Sequence, residues 1–404
     1  MRLPYFLLAC IGLLPPSFAY ADLSLEQARQ QAYTRDPELQ ALTQLQAVDR
    51  LRTQQSSRLA NPELSVEVDS LGNQSTANAD GTSVELRYSQ ALPLNNKRIL
   101  RANVAQTEQF NTQLAMQKRS AELAADVRLC LARWFIADGR VQLQQDELAI
   151  SKTQVRLLSE RLRAGKTVPS ESQRAVALAQ ESATQLLNQQ QLASSAKAAC
   201  ELLIGTLPAQ PMTLPTITPM LDQQGVLSQQ QAELDVQRAQ ASHALATAER
   251  RPDVTLSVGT RRSQNSQDQL WLVGASMTLS VFDQNQVAYA LSQQQLDRAI
   301  QVAMLTRQRA TLRVQQAQAQ IVAAQQQLDV LQQHVLPATQ ESLRIAEMAY
   351  QAGKTGLLEW LEARQVWRAA RERALQSELA VQQALADLER EFAPASAAIL
   401  GSQP

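Results

Sequence analysis

The chain has 404 residues, 38 Lys and Arg against 38 Asp and Glu, only 12 glycines, and 4% aromatic side chains. Ala, Gln and Leu dominate, as in long helices packed side by side; a globular enzyme core needs more aromatic bulk and more glycine turns. Balanced, interspersed charge without a basic block gives no pointer to a nucleic-acid partner, and no phosphate loop, metal-ligand cluster or nucleophile arrangement points to an enzyme or a cofactor.

Arg2, the apolar run Tyr5 to Leu14, the pair Pro15-Pro16 and the small-residue site Ala19-Tyr20-Ala21 read as a secretory signal peptide over residues 1–21. Leu7-Leu8-Ala9-Cys10 has the outline of a lipobox, but the apolar stretch before Cys10 is short for a lipoprotein leader. No later run is long enough to span a membrane as a helix, so any crossing must be made by strands. The mature chain keeps Cys130 and Cys200, in a compartment that permits disulfides. They lie equally far from Gly165, at similar height in a hairpin turning there; they read either as two unpaired core residues or as a bridge.

Leu23 to Thr34 reads as a short amphipathic helix, and Asp36-Pro37 caps and restarts a second that runs to about Leu59. The period then changes from helical to alternating. Leu64, Val66 and Val68 face opposite Ser65, Glu67 and Asp69, and after a polar loop Val84, Leu86 and Tyr88 alternate with Glu85, Arg87 and Ser89. From about Asn96 to Arg163 nothing ends a helix; nearly seventy residues of it would be roughly 100 Å long. Ala164-Gly165-Lys166-Thr167 turns the chain, and Pro169 starts the return helix, which ends near Leu203.

The second half repeats this order. A helix ends at Arg251-Pro252, strands follow around Val254 to Val258 and Trp271 to Leu279, and a helix opened by Phe282-Asp283-Gln284-Asn285 runs to about Tyr350, with a kink expected at Pro337. Ala352-Gly353-Lys354-Thr355 turns the chain again, and a last helix runs from Leu357 to about Phe392. Pro62 and Pro252 are 190 positions apart, whereas Leu94 and Phe282, like Gly165 and Gly353, are 188 apart. A near-constant offset means an internal duplication, with the two-residue change expected in the loop between paired strands. The division is a first repeat at 22–204 (strand pair 62–94, turn 164–167) and a connector at 205–224. The second repeat covers 225–392 (strand pair 252–282, turn 352–355), followed by a flexible tail at 393–404.

Each strand has one apolar and one polar face, and no neighbouring element in sequence covers the apolar side. The strands either pack on one another as a small sandwich or turn their apolar faces to lipid and line a lumen with the polar ones. Four strands cannot close a membrane barrel, for which about eight is the lower limit. Three copies of four would give twelve, and the same symmetry would gather the hairpins into a tube of helices.

The residues that carry a family resemblance are Leu23-Ser24-Leu25-Glu26-Gln27-Ala28 with Asp36-Pro37-Glu38-Leu39, and Asn61-Pro62-Glu63-Leu64. Gln90 to Arg98 (Gln-Ala-Leu-Pro-Leu-Asn-Asn-Lys-Arg) and Tyr350 to Glu359 (Tyr-Gln-Ala-Gly-Lys-Thr-Gly-Leu-Leu-Glu) complete the set. In their order and duplicated spacing the chain resembles the TolC-like outer-membrane efflux proteins over essentially all of its mature length. The resemblance implies a mainly α fold with a small β part: a homotrimer with a 12-strand β-barrel in outer-membrane lipid and a periplasmic α-barrel. It further implies docking to a periplasmic adaptor and an inner-membrane pump of the RND type. The compact length, Asn61-Pro62-Glu63 and Leu94 to Arg98 are most similar to the heavy-metal branch, although Asn95-Asn96 stands where that branch often has paired glycines.

By the same resemblance, the tips are where such channels close and adaptors dock. Glu359 and Glu362 take positions of pore-facing acids, Glu171 takes the equivalent place after the first turn, and Gly165, Lys166, Gly353 and Lys354 are the expected adaptor contacts. Three carboxylates around a narrow axis repel one another and attract cations, so a small helix rotation would widen the constriction; the alternative is ordinary solvated charge. His243 and His334 are far apart without ligand spacing and read as solvated or packed helix residues. The expected function is a passive conduit for heavy-metal cations. The alternatives are a TolC-like channel for drugs or secreted proteins, and a periplasmic coiled-coil adaptor.

Overall fold

In the computed structural model the residues described are 24–69, 82–208, 210–211, 214–215, 226–263 and 269–392. The leader, most of both strand-connecting loops, much of the connector and the tail lie outside them. Helix α1 (Leu25–Arg35) starts with a capping box, Ser24 Oγ accepting from the Gln27 amide at 3.2 Å and Gln27 Oε1 from the Ser24 amide at 2.8 Å. Asp36 caps α2 (Pro37–Ser56) by accepting from the Leu39 amide at 2.8 Å, with Pro37 in the first turn as its fixed φ favours.

Strands β1 (Glu63–Asp69) and β2 (Ser83–Leu92) lead into α3 (Lys97–Arg163), a single helix of 67 residues. Its return helix is α4 (Pro169–Ile204). The second repeat has α5 (Leu227–Glu249), β3 (Val254–Ser263), β4 (Gln269–Met277), α6 (Gln286–Val330), α7 (Leu336–Gln351) and α8 (Leu357–Glu391).

The irregularity expected at Pro337 lies one turn earlier. Leu331–Val335, between α6 and α7, winds as a π-helix in which the Leu336 amide donates to the Leu331 carbonyl. A wide turn accommodates a residue that has no amide hydrogen of its own and whose ring would press on the preceding turn. The helix therefore continues through the proline.

The four strands form one antiparallel sheet in the order β1-β2-β3-β4, with β2 and β3 joining the repeats. Their register corrects the sequence-based placement of the length change. Leu64, Val66 and Val68 correspond to Val254, Leu256 and Val258 at an offset of 190, but Val84, Leu86 and Tyr88 share their face with Val273, Ala275 and Met277, an offset of 189. An offset of 188 would have put every β4 side chain on the wrong face, because strand side chains alternate. One residue is therefore lost in the strand loop and the other in the long helix, which runs Gln286–Gln351 against Lys97–Arg163.

The core gathers around the middle of α3. Val127, Leu131, Ala132 and Trp134 pack on Leu25, Ala28 and Ala32 of α1 and on Cys200 and Ile204 of α4. A second cluster, Ile321 and Leu328 of α6 with Val381, Leu385 and Leu388 of α8, holds the second hairpin at the same level. Glu389 of α8 ties the two groups together, pairing with Arg29 of α1 and Arg128 of α3, each at 2.7 Å.

Candidate functional site

The two turns are alike down to their hydrogen bonds. At the first, the Lys166 amide reaches the Arg161 carbonyl at 2.8 Å and the Gly165 amide reaches Leu162 at 3.0 Å; at the second, Lys354 reaches Ala349 at 2.9 Å and Gly353 reaches Tyr350 at 3.1 Å. Both are Schellman motifs closed by a left-handed glycine, Gly165 at φ 68° and Gly353 at φ 73°. Open space surrounds both glycines, and Lys166 and Lys354 are exposed beside them.

Glu171 and Glu359 then occupy the first turns of α4 and α8. Thr167 Oγ1 donates to the Glu171 carboxylate, whereas the equivalent Thr355 hydroxyl is buried without a partner. Glu359 and Glu362 are exposed on one side of α8, while Trp360, Arg364 and Trp367 are buried on the other. The i, i+3 spacing puts the two carboxylates on a common face directed away from α3 and α7.

The buried face of α8 carries a clasp that sequence reasoning missed. Arg364 Nη2 donates to Glu147 Oε2 at 2.6 Å, to the Glu147 carbonyl at 2.8 Å and to Ser151 Oγ at 2.9 Å, so a buried ion pair joins α8 to α3. Nearer the tip, Arg161 of α3 donates to the Tyr350 carbonyl at 3.0 Å and lies 4.6 Å over the Tyr350 ring, which stacks on Trp360. The sequence signal available was two aromatics flanking the second turn and not the first.

At the other end, the polar face of the sheet brings Glu63, Glu67 and Asp69 beside Ser83, Glu85, Arg87, Ser257 and Arg261. Glu85 accepts from Arg87 at 2.8 Å and from Arg261 at 2.8 Å, so two guanidiniums offset the opposed carboxylates of Glu67 and Glu85. The other face carries Val66, Leu86, Tyr88, Trp271 and Val273, all exposed.

Comparison with known proteins agrees with this geometry. Residues 227–391 match the family model described as Outer membrane efflux protein. The cobalt-zinc-cadmium resistance protein CzcC of Cupriavidus metallidurans is 25% identical over 298 residues, 70% of this chain and 71% of that protein. Both matches make the outer membrane efflux proteins the group this chain is similar to. Among solved structures, CusC superposes with a TM-score of 0.75 at 18% identity, covering 91% of both chains. The outer membrane protein VceC of Vibrio cholerae gives 0.75 at 16% identity (91% and 96% covered), and the Neisseria gonorrhoeae MtrE outer membrane channel gives 0.73 at 19% (92% and 89%). These likenesses establish the TolC-like fold.

Within this fold, Asn95-Asn96 has a physical explanation. Both residues are left-handed, at φ 56° and 59°, and Asn285 repeats the conformation at 59° where α6 begins. Asparagine is the side chain that best tolerates the region glycine otherwise fills. Lys97, buried beside them, donates to Asp253 Oδ1 at 2.8 Å and to the Arg251 carbonyl at 2.6 Å, fixing the joint between sheet and helix. The histidines do not converge: His243 Nδ1 bonds Ser292 Oγ at 3.0 Å and its ring lies against Tyr289, whereas His334 is exposed in the π turn. The described residues contain no group of three potential metal ligands.

Proposed function

We propose that the chain is the outer-membrane channel of a tripartite efflux system, a passive homotrimeric conduit for heavy-metal cations. The observation that carries the reading is the duplicated sheet, apolar on one face and charged on the other, with β1 and β4 unpaired at its edges. Pairing β4 of one copy with β1 of the next would leave no edge, present the apolar face to lipid and enclose the polar one. On that inner face Glu63, Glu67, Asp69 and Glu85 outnumber Arg87 and Arg261, a balance that favours cations. The cation class follows from CzcC, the cobalt-zinc-cadmium resistance protein it resembles.

The duplication also supports where the copies meet. Within the chain α3 packs on α2 of its own repeat and on α5 of the next, whereas its counterpart α6, among the described residues, packs on α5 without a comparable contact to α2. Both bare faces are apolar: Leu45, Val48 and Leu51 on α2, and Ile300, Met304 and Leu305 on α6.

On this reading the hairpin tips lie at the inner end of the tunnel. Glu359 and Glu362, with Glu171, form an acidic constriction, and Gly165, Lys166, Gly353 and Lys354 meet the periplasmic adaptor, which links the channel to an inner-membrane pump of the RND type. Deleting the gene should raise cellular zinc, cobalt or cadmium and sensitise cells to it, and the chain should sediment as trimers in the outer-membrane fraction. Single-channel recording tests the gate: Glu359→Gln with Glu362→Gln should weaken block by divalent cations, and unchanged block would remove these residues from it. A soluble periplasmic monomer would overturn the channel reading itself.

A further inference from the structure

Cys130 lies on α3 and Cys200 on α4, 35 positions either side of Gly165, and the hairpin brings them into one packed cluster with Val127, Leu131 and Ile204. The two are free thiols in the structure, Cys200 fully buried and Cys130 partly exposed. The Cys130 thiol is the hydrogen-bond partner of the Cys200 thiol, and that bond together with burial pushes the Cys200 thiol up, away from its thiolate. The second hairpin has no such pair: at the offset of the two turns Cys200 corresponds to Leu388, which belongs to the apolar cluster that holds α6 to α8.

We infer that Cys130 and Cys200 are joined by a disulfide in the exported protein, closing the first hairpin at its base. The inference rests on export, as proposed above, because the oxidant must be a disulfide-bearing thiol oxidoreductase of an oxidising compartment. The accessible Cys130 thiolate attacks one sulfur of the oxidant's disulfide, giving a mixed disulfide and releasing one oxidant thiolate. The Cys200 thiolate then attacks the Cys130 sulfur and releases the second. Two cysteine thiols lose two protons and two electrons, and the oxidant disulfide is reduced to a dithiol. Because the packed core disfavours the Cys200 thiolate, exchange is fastest before α4 seats on α3, and the finished bond is then shielded from reductants.

The test uses the full chain, expressed with its own leader and acid-quenched in whole cells. Free thiols are blocked with N-ethylmaleimide under denaturing conditions, and the sample is then reduced and labelled with polyethylene-glycol maleimide. Two tags per chain in the envelope fraction, none when reduction is omitted, and none in the Cys130→Ser variant are the expected results. Envelope-fraction chain with both cysteines already blocked by N-ethylmaleimide would overturn the disulfide while leaving the channel reading intact. Chain confined to the cytoplasm would overturn export, and the disulfide with it.

Discussion

The two hairpin tips share one turn and differ in what holds them. Both reverse through a Schellman motif with glycine at positive φ, but only the second is clasped to α3, by the buried Glu147–Arg364 pair and by the Arg161–Tyr350–Trp360 stack. At the equivalent places the first hairpin has Val176 for Arg364, Ser172 for Trp360 and Leu162 for Tyr350. Duplication preserved the backbone device that reverses the chain and left the side chains of each seam to diverge. The clasped seam is internal to the chain.

The sharpest way to break this contrast is Arg364→Ala, which strands the buried Glu147 carboxylate and should cost about 3–5 kcal/mol. Hydrogen exchange across residues 336–370 would show the loss locally, while Val176→Ala should change exchange over residues 169–180 by far less. Equal responses would mean that the clasp does not distinguish the hairpins. Next is Trp360→Ala, expected to lower stability by about 3 kcal/mol through lost burial and stacking. Ser172→Ala at the matching position should stay within about 0.5 kcal/mol in the same thermal melt.

Gly165→Ala and Gly353→Ala sharpen the comparison from the other side. Each forces a side chain into the left-handed region with open space around it, so each should cost about 1 kcal/mol in thermal unfolding, nearly equally. A large difference would show that the turns are not interchangeable.

The smallest expected effect lies at the α1–α2 junction, where Asp36 meets α3. Burial of Asp36 raises its pKa, but Arg119, at 2.7 Å, and the Leu39 amide outweigh that and hold the carboxyl below its usual range. A depressed folded pKa contributes stability that is present above the unfolded value of about 4 and is lost as pH falls below it. Thermal melts of the wild type should fall across that window, and Asp36→Asn should flatten this part of the profile.

What the sequence showed and what it hid divide along physical lines. Strand alternation at Leu64 to Val68, the Asp36 cap and both glycine turns are local signals, and each element formed where its pattern placed it. The two-residue change reads as lying wholly in the strand loop because Leu94 to Phe282 and the two glycine turns share one offset, whereas the loss inside α6–α7 shows only in which face each strand presents. The clasp was invisible for a different reason. Glu147 and Arg364 are 217 positions apart, and each looks like any other charge on a long helix until α8 is laid against α3. Glu359 and Glu362 stand exposed on the opposite side of α8, so the isolated chain leaves them free of the contacts that bury Arg364.

The π turn at Leu331–Val335 gives the second hairpin a lever. Below it α7 has 16 residues, a rod of about 24 Å at 1.5 Å per residue. A tilt of about 5° at the wide turn would carry the Gly353 loop roughly 2 Å sideways. On the proposed reading of Glu359 and Glu362 as a constriction, that displacement would change how closely the carboxylates of neighbouring copies approach. α3, wound without such a turn, has no matching fulcrum, so the same small angle in the first hairpin would have to be spread along its whole length.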